Sequence, residues 1–505
     1  MAKNNTKKYE LPPLVAHILH DSKTYIDNLF ADTWKQLGLK SLLVNAGFSK
    51  RSGTDIGTVV YLLLLWKWIN VSSISMFSRK SMGLFTDAHK DVLYDSLHRE
   101  DINWRRLNLD IGKKIYDHHT LIKSTSRVFV LDDSIRNRRG KKMEAVSKHF
   151  DHVSNTYVMG HQVLTLGLAT DECFLALDSQ IFISDSQAHK QVKPYKDGRS
   201  IGAKRYDDAV NKSKVEMSRD LLARAVRKGI TADYVAADAW FGNKEMMRAA
   251  LSLKMTAILR MKKGSLKYRV KLSGKWQNLD AKELYQQAIR KHWRKVQGMP
   301  WKAVEMQVEV DLSTETRKGA KPAYQPLKLL FVRGVNEDPD VDGSKKDWAL
   351  FLSTDPQLST CKMLEVYALR WSIEVYFKEA KQHLGFLCEQ TISFQSHTAS
   401  IHLCAIRYLM LVHAKLTRED SSVAQPRGEI QDQLNSLSFA TQLWQVFRAI
   451  ISGTLKSLSR QLGCSIKEIM REIDERVEEF FVRSLQLDVL TMSLEYDNSP
   501  CDRPI

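Results

Sequence analysis

The sequence contains no apolar run long enough to cross a lipid bilayer. Its longest such run, residues 59–66, falls well short of the roughly 20 residues that a transmembrane helix needs. The opening residues, MAKNNTKKYE, include none of the apolar stretch that defines a signal peptide. We therefore expect a protein that is not embedded in a membrane and that resides in the cytoplasm of a bacterial cell.

Cysteine is scarce, with six residues in a chain of 505, and no two of them form a C-x-x-C pair. No ordered histidine spacing accompanies the cysteines. This pattern argues against a disulfide framework and against a zinc site. Internal repeats and low-complexity segments are also absent. A chain of this length with 43% hydrophobic residues is expected to form roughly two to four globular domains with at least one large core.

Acidic residues are few relative to basic ones. There are 58 Asp and Glu against 76 Lys and Arg, which gives a formal net charge of +18. An excess of this size suits a polyanionic partner, and nucleic acid is the leading candidate for a chain of this length. A generic basic protein without such a partner is the alternative.

Residues 1 to about 115 have the pattern of a series of helices. Turns such as SSIS and TDAHK separate short segments of apolar periodicity, and basic residues are spread along them. This arrangement suits a helix-turn-helix-like module that reads a DNA groove. An ordinary helical subdomain with basic, solvated faces fits the pattern equally well.

Beyond residue 125 the pattern changes to alternating strands and helices, which predicts an α/β core. The apolar run at residues 127–131 is expected to be a strand that ends in Asp132 and Asp133. A second short strand is expected to end in Asp238. The long interval that follows is rich in strand and turn signals, and we interpret it as a β-rich insertion.

The segment TCKMLEVYALRWSIEVYFKEAKQHLG, residues 360–385, is predicted to form one long helix. Four of its polar side chains recur at a spacing that places them along one face of that helix. They are Tyr367, Arg370, Glu374 and Lys381. A solvated charged face explains any single pair of acid and cation. A metal-binding carboxylate among phosphate-binding neighbours explains the whole set.

Carboxylates on separate core elements have a chemical use. Mg²⁺ prefers oxygen ligands and takes only a few of them from a protein, which leaves room for water and phosphate. Acids from two strand ends and one packed helix can hold two such ions about 4 Å apart for an in-line phosphoryl transfer. The candidates are Asp132, Asp238 and Glu374. An Asp at a strand end also suits a turn or a helix cap, but the three together on an alternating core favour the metal site.

The spacing Y-x2-R-x3-E-x6-K within YALRWSIEVYFKEAK resembles the YREK signature of bacterial cut-and-paste DDE transposases of the insertion-sequence-four family. Two further blocks agree with that family. VLDDS resembles its strand that ends in D-x-T/S, and VAADAWF resembles its strand that ends in Asp with an aromatic residue shortly after. The resemblance extends over roughly residues 90–415.

This resemblance implies an α/β, RNase H-like catalytic core interrupted by a β-rich insertion, with helical N-terminal and C-terminal regions. It implies that the three acids hold two Mg²⁺ ions, for which Mn²⁺ can substitute. Within the first block the D-x-S register selects Asp132, while strand alternation leaves Asp133 as an alternative acid.

The resemblance also implies roles for residues around the acids. Arg370 and Lys381 would engage phosphates near the end of the element, and Tyr367 would hydrogen-bond a phosphate there. Trp348, in the segment KKDWALFLSTD, would hold a base flipped from the stack while the flanking end is released through a DNA hairpin. A core aromatic beside a strand is the alternative for Trp348.

The chain is expected to divide into five regions. They are a helical DNA-binding region at residues 1–118, the first part of the catalytic core at 119–261, the β-rich insertion at 262–352, the second part of the core with the YREK helix at 353–418, and a helical C-terminal region at 419–505. Because transposition brings two DNA ends together, we expect a homodimer on double-stranded DNA, with the last region as a candidate contact.

The expected activity is that of a DNA transposase. It would bind the ends of a mobile element and catalyse metal-dependent strand cleavage, hairpin-mediated excision and strand transfer into a DNA target. Two alternatives remain: a non-catalytic DNA-binding derivative, and an RNase H-like nuclease without strand transfer.

Overall fold

The computed structural model describes residues 29–69, 72–86, 88–140, 142–151, 155–184, 191, 193–314, 321–334, 348–435, 450–451, 454–455 and 469–473. The chain divides into two compact units, one formed by Met1–Leu107 with Lys381–Ile505 and the other by Asn108–Ala380. Most of the predicted dimer contact, after residue 435, lies outside the described residues. None of the described helices is both long and apolar enough to cross a membrane.

The helices are named in chain order. They are α1 (Leu29–Gln36), α2 (Leu39–Asn45), α3 (Ile56–Leu65), α4 (Ile74–Lys80), α5 (Asp91–His98), α6 (Trp104–His118), α7 (Ile201–Asn211), α8 (Lys214–Arg227), α9 (Lys244–Ser252), α10 (Ala281–Ile289), α11 (Thr360–Ala368), α12 (Trp371–Gln382) and α13 (Phe394–Arg418). In its described part the first unit is helical, and α1 to α5 and α13 belong to it.

Helices α3 and α13 form the core of the first unit. The sequence of α3, IGTVVYLLLL, is apolar almost all round, and nearly every side chain of both helices is buried. The buried guanidinium of Arg407 on α13 donates hydrogen bonds to the carbonyl oxygens of Leu63, Leu64 and Leu384. Two of these carbonyls lie in the last turn of α3, where a helix leaves its carbonyls without intrahelical partners.

The second unit contains a mixed sheet. Its strands are β1 (Val128–Asn137), β2 (Ser147–Asp151), β3 (Thr156–Ala169), β4 (Phe174–Phe182), β5 (Tyr234–Ala237), β6 (Thr256–Met261), β7 (Tyr268–Leu272), β8 (Lys275–Leu279), β9 (Arg294–Lys295), β10 (Trp301–Asp311), β11 (Tyr324–Gly334) and β12 (Trp348–Ser353). The strand order is β2-β3-β1-β5-β6-β12-β11-β10-β7-β8, with β4 beside β3 and β9 beside β10.

Five neighbouring strands of this sheet correspond to the RNase H-like core that the resemblance implies. In the order β4-β3-β1-β5-β6, the first three strands pair antiparallel with one another, whereas β5 and β6 run parallel to β1. Parallel neighbours need crossover connections, and α7 to α9 lie on these crossovers in the sequence. The long strands β3 and β4 are buried over most of their length, which places the core around them.

Strand β1 is longer than the sequence suggests. The expected strand ended at the acidic doublet, but β1 continues through Asn137 because β3 pairs with it over its whole length. The parallel ladder with β5 ends earlier, at the pair Leu131 and Ala237. Asp132 therefore lies inside an antiparallel strand and directly beyond the end of a parallel ladder.

The strands after Met261 continue the same sheet. Strand β12 pairs antiparallel with β6, and β11, β10, β7 and β8 follow outward from it. The long hairpin of β10 and β11 is the largest part of this extension. The β-rich character predicted for this part of the chain is confirmed, and its described strands widen the core sheet.

The prediction of one helix over residues 360–385 is wrong in one respect. The segment forms two helices, α11 and α12, separated by Leu369 and Arg370. At this junction the amides of both residues bond to carbonyls three positions back, at 3.2 Å and 3.0 Å, which tightens the turn. No Gly or Pro marks the break. Ser359 caps α11 as expected, and Gly385 has a left-handed φ of 76°, beyond the end of α12.

Candidate active site

Two of the predicted acids are brought together by the parallel ladder of β1 and β5. Leu131 and Ala237 are its last paired residues, and the next residue on each strand is Asp132 and Asp238 respectively. Neighbouring strands are about 4.8 Å apart, so the two carboxylates leave the sheet side by side. Asp132 and Asp238, which are 106 residues apart in the sequence, thus lie at the same end of the ladder.

Each aspartate carboxylate is held by a backbone amide just downstream. The amide of Asp133 donates to Asp132 Oδ1 at 2.8 Å, and the amide of Trp240 donates to Asp238 Oδ1 at 2.9 Å. Hydrogen bonds from backbone N–H groups to a carboxylate are charge-assisted and fix its orientation. Both carboxylates are therefore positioned by the main chain.

Arg370 joins the third acid to this pair. Its Nη1 lies 3.2 Å from Asp132 Oδ2, and its Nη2 lies 2.5 Å from Glu374 Oε1. The arginine sits at the junction between α11 and α12, four residues before Glu374. The structure thus places Asp132, Arg370 and Glu374 in one continuous network, with Asp238 beside Asp132.

The network carries more negative charge than Arg370 offsets. The pKa of Asp132 is raised to about 7, mainly by burial and also by the negative charges of Asp238 and Asp133, while the amide of Asp133 and the Arg370 guanidinium oppose this shift. A set of neighbouring carboxylates of this kind fits a hard divalent cation, whose preferred ligands are carboxylate oxygens. Asp132, Asp238 and Glu374 are the residues that would hold such a cation.

Asp133, the alternative acid, is engaged on other partners. Its Oδ2 lies 2.9 Å from Lys214 Nζ, and its Oδ1 accepts a hydrogen bond of 2.6 Å from Gln162 Nε2. Successive side chains of a strand point to opposite faces, which explains why Asp132 and Asp133 have different neighbours. The described geometry places Asp132, rather than Asp133, next to Arg370 and Glu374.

Tyr367 packs beside the acidic network. Its ring makes an edge contact with Phe351 at 4.7 Å, and the Arg370 guanidinium lies 5.7 Å from its centroid. Burial raises the pKa of its phenol. Lys381 lies in the last turn of α12. Because the segment is divided, the four side chains do not share one helix as predicted: Tyr367 lies on α11, and Glu374 and Lys381 lie on α12.

Trp348, predicted to hold a flipped base, is a core residue in this structure. Only 5% of it is exposed. Tyr285 stacks on its ring at 4.3 Å with an angle of 9°, and the Lys263 ammonium lies over the ring at 4.2 Å. A base therefore has no accessible indole face to stack on unless these side chains move. The described arrangement agrees with the alternative of a core aromatic beside a strand.

The sequence analysis did not identify two polar residues that contact Asp133, the neighbour of Asp132. Lys214 and Gln162 both bind Asp133, and they lie on α8 and β3. Neither belongs to a recognisable motif, so no local signal marks them. The aromatic residue after Asp238 was part of the recognised block, but the use of its backbone amide depends on the fold of the turn.

One family model matches part of the chain. Residues 72–320 match a family model described as a DDE superfamily endonuclease, a segment that contains Asp132 and Asp238 and ends before Glu374. No curated protein matches the chain. Together with the strand order, the match confirms an α/β fold with an RNase H-like core. The match supports a function of the DDE transposase or nuclease type. A family of this type implies a DNA substrate, and its members typically use divalent metals.

Proposed function

We propose that the chain is a DNA transposase that cleaves the ends of a mobile element and joins them to a target. The observation that carries this proposal is the network of Asp132, Arg370 and Glu374, with Asp238 at the adjoining strand end. The spacing of Tyr367, Arg370, Glu374 and Lys381 supports the transposase branch over other DDE enzymes.

Each residue of the site has a role under this proposal. Asp132, Asp238 and Glu374 would hold two Mg²⁺ ions, and these ions would supply activation of the attacking hydroxyl and stabilisation of the leaving oxygen of a phosphodiester. Arg370 keeps the Asp132 and Glu374 carboxylates apart and oriented before DNA arrives. The backbone amides of Asp133 and Trp240 hold the two aspartates, so little reorganisation is needed when the substrate binds.

A basic hairpin offers a surface for the DNA backbone. Residues 290–302, RKHWRKVQGMPWK, contain no acid, and β9 and β10 pair within them through Lys295 and Lys302. Its cations are Arg290, Lys291, Arg294, Lys295 and Lys302, of which the first four are exposed. A dense array of exposed cations next to aromatic residues is typical of phosphate backbone binding.

A second candidate is a nuclease of the same fold that nicks DNA without joining it. The burial of Trp348 beneath Tyr285 and Lys263 favours this candidate over a hairpin pathway, because a base-holding platform is covered. A non-catalytic DNA-binding derivative is less well supported, since all three acids are present and Arg370 joins Asp132 and Glu374 in one network.

The experiment that separates these functions uses an end-labelled duplex carrying one end of the element. The terminal sequences come from inverted repeats in the DNA that flanks the coding region. With Mg²⁺, a transposase yields nicks followed by a hairpin or joined products, whereas a nuclease yields nicks alone. Binding without any cleavage in Mg²⁺ would identify a non-catalytic derivative. Two labelled ends recovered in one complex would support the proposed homodimer.

A further inference from the structure

Lys214, the first residue of α8, is a buried cation that the proposed chemistry does not use. Its side chain is 9% exposed, and its Nζ lies 2.9 Å from Asp133 Oδ2. The same ammonium lies 4.1 Å from the ring centroid of Trp240, a cation–π distance. One lysine thus contacts a residue on β1 and a residue in the turn after β5.

The two partners of Lys214 are the residues whose amides hold the catalytic aspartates. The amide of Asp133 donates to Asp132, and the amide of Trp240 donates to Asp238. The side chains of the same two residues are held by Lys214. Lys214 is therefore connected to Asp132 through Asp133, and to Asp238 through Trp240.

The surroundings of Lys214 keep it in place. Ser213 and Glu216 form a capping box at the start of α8, so the backbone of Lys214 is fixed in the first helical turn. Gln162 donates to the second oxygen of Asp133 at 2.6 Å, which leaves that carboxylate held at both oxygens. Because both Lys214 and Asp133 are held in place, their salt bridge can fix the position of the neighbouring residues; a solvated lysine, which is mobile, could not do so.

We propose that Lys214 is a positioning residue that orients Asp132 and Asp238 through the Asp133 salt bridge and the Trp240 ring. This inference rests on the proposed function, because it assigns Lys214 to the metal site formed by those aspartates. Residues behind metal ligands set ligand orientation, and their loss typically lowers metal affinity by about 10- to 100-fold.

The test is calorimetric titration of the full chain with Mn²⁺ alone, in the absence of DNA. Lys214→Met keeps the length of the side chain and removes its charge, and we expect Mn²⁺ affinity to fall by about 10-fold or more. Lys214→Arg retains both a salt-bridge donor and a cation for the indole, and we expect most of the affinity to return.

The matched control is Arg224→Met on the same helix. Arg224 Nε lies 2.8 Å from Asp178, whose side chain is fully buried, so this change also leaves a buried carboxylate without its partner. We expect a similar loss of thermal stability and an unchanged Mn²⁺ affinity. If both variants lost stability and both kept the Mn²⁺ affinity of the unsubstituted chain, Lys214 would have a structural role only and the inference would be wrong.

A double variant covers the case in which Lys214→Met does not fold. Lys214→Met with Asp133→Asn removes both buried charges, and paired removal is usually far less destabilising than removal of one partner. We expect it to fold but to bind Mn²⁺ more weakly than the unsubstituted chain, because Lys214 no longer holds the side chains of residue 133 and Trp240. Normal affinity in this variant would overturn the inference.

Absence of Mn²⁺ binding by the unsubstituted chain would overturn both this inference and the proposed function, whereas normal binding without DNA cleavage would overturn the function alone.

Discussion

Asp132 and Asp133 are adjacent on one strand, yet their carboxylates pair with different basic residues. Asp132 Oδ2 lies 3.2 Å from the guanidinium of Arg370, while Asp133 Oδ2 lies 2.9 Å from the ammonium of Lys214. The alternation of a strand separates them, so one acid joins Glu374 and the other is enclosed between α8 and β3. We propose on this basis that Asp132 acts as a ligand and that Asp133 supports it.

Replacing Asp132 is expected to stabilise the metal-free protein. Its folded pKa of about 7 exceeds the unfolded value of 3.8, so protonated Asp132 contributes stability that is complete below pH 3.8 and is lost as the pH rises through 7. Asp132→Asn mimics the protonated form. At pH 8 without metal, chemical denaturation should show a gain on the order of 4 kcal/mol.

The same variant should lose its response to metal. Mn²⁺ should raise the unfolding temperature of the unsubstituted chain and leave that of Asp132→Asn unchanged. As a control, Asp133→Asn should lower stability, because it leaves Lys214 without its partner in a buried position. An Asp133→Asn variant that lost metal binding while Asp132→Asn retained it would reverse the assignment of the two acids.

Trp348 is expected to contribute mainly to the stability of the fold. Trp348→Ala removes a buried indole that stacks on Tyr285, and the expected loss is about 3–5 kcal/mol in the free energy of unfolding. We also expect hairpin formation to fall more than first-strand nicking if Lys263 and Tyr285 move aside on DNA. Trp371, which is 62% exposed on α12, is the matched comparison. A Trp371→Ala variant that lost hairpins while a folded Trp348 variant formed them normally would move the base-holding role to Trp371.

The basic hairpin is expected to set the salt dependence of DNA binding. Replacing Arg290, Lys291 and Arg294 by Gln should reduce the slope of log affinity against log salt by about 2 to 3, since each phosphate contact contributes about 0.9. Affinities are measured by fluorescence anisotropy from low to moderate salt. The control removes three charges elsewhere in the same unit, Lys204, Arg219 and Arg227. Equal slopes for the two triple variants would show that only net charge matters.

Acid is expected to weaken the fold through His149. Burial and the Lys214 charge lower the pKa of His149 to about 4, with Asp133 opposing them. Between pH 4 and 6.5 the unfolded chain binds more protons than the folded one, so stability falls as the pH falls through this window. The free energy of unfolding should therefore fall by up to about 3 kcal/mol less in His149→Gln than in the unsubstituted chain over this pH range. Chemical denaturation of both proteins at each pH measures this difference. Parallel pH profiles for both proteins would exclude a neutral, buried His149.

Much of the fold was accessible from the sequence because its signals are local. Strand-forming runs before Asp132 and Asp238 predicted the α/β core, and strand and turn signals between Asp238 and Glu374 predicted the β-rich segment. The extension of β1 through Asn137 was missed because pairing with β3, rather than local propensity, determines where that strand ends. The break at Leu369 was missed because no Gly or Pro accompanies it.

Sequence patterns mark the acids of the candidate site but not the residues that contact them. Three carboxylates and Arg370 have a fixed spacing or a strand end to mark them, whereas Lys214 and Gln162 reach Asp133 from elements far away in the chain. The burial of Trp348 depends on Tyr285 of α10, a contact that sequence spacing does not reveal. Residues that act through tertiary contacts carry no sequence signature of their own.

The most direct test of the account is cleavage of the end-labelled terminal duplex in Mg²⁺ by the unsubstituted chain and by Glu374→Gln. The substitution removes one carboxylate charge, while the amide oxygen can still accept a hydrogen bond from Arg370. We predict specific cleavage at the element end by the unsubstituted chain, none by Glu374→Gln, and end binding of similar affinity for both. Normal cleavage by Glu374→Gln would contradict the assignment of this acid to the metal site.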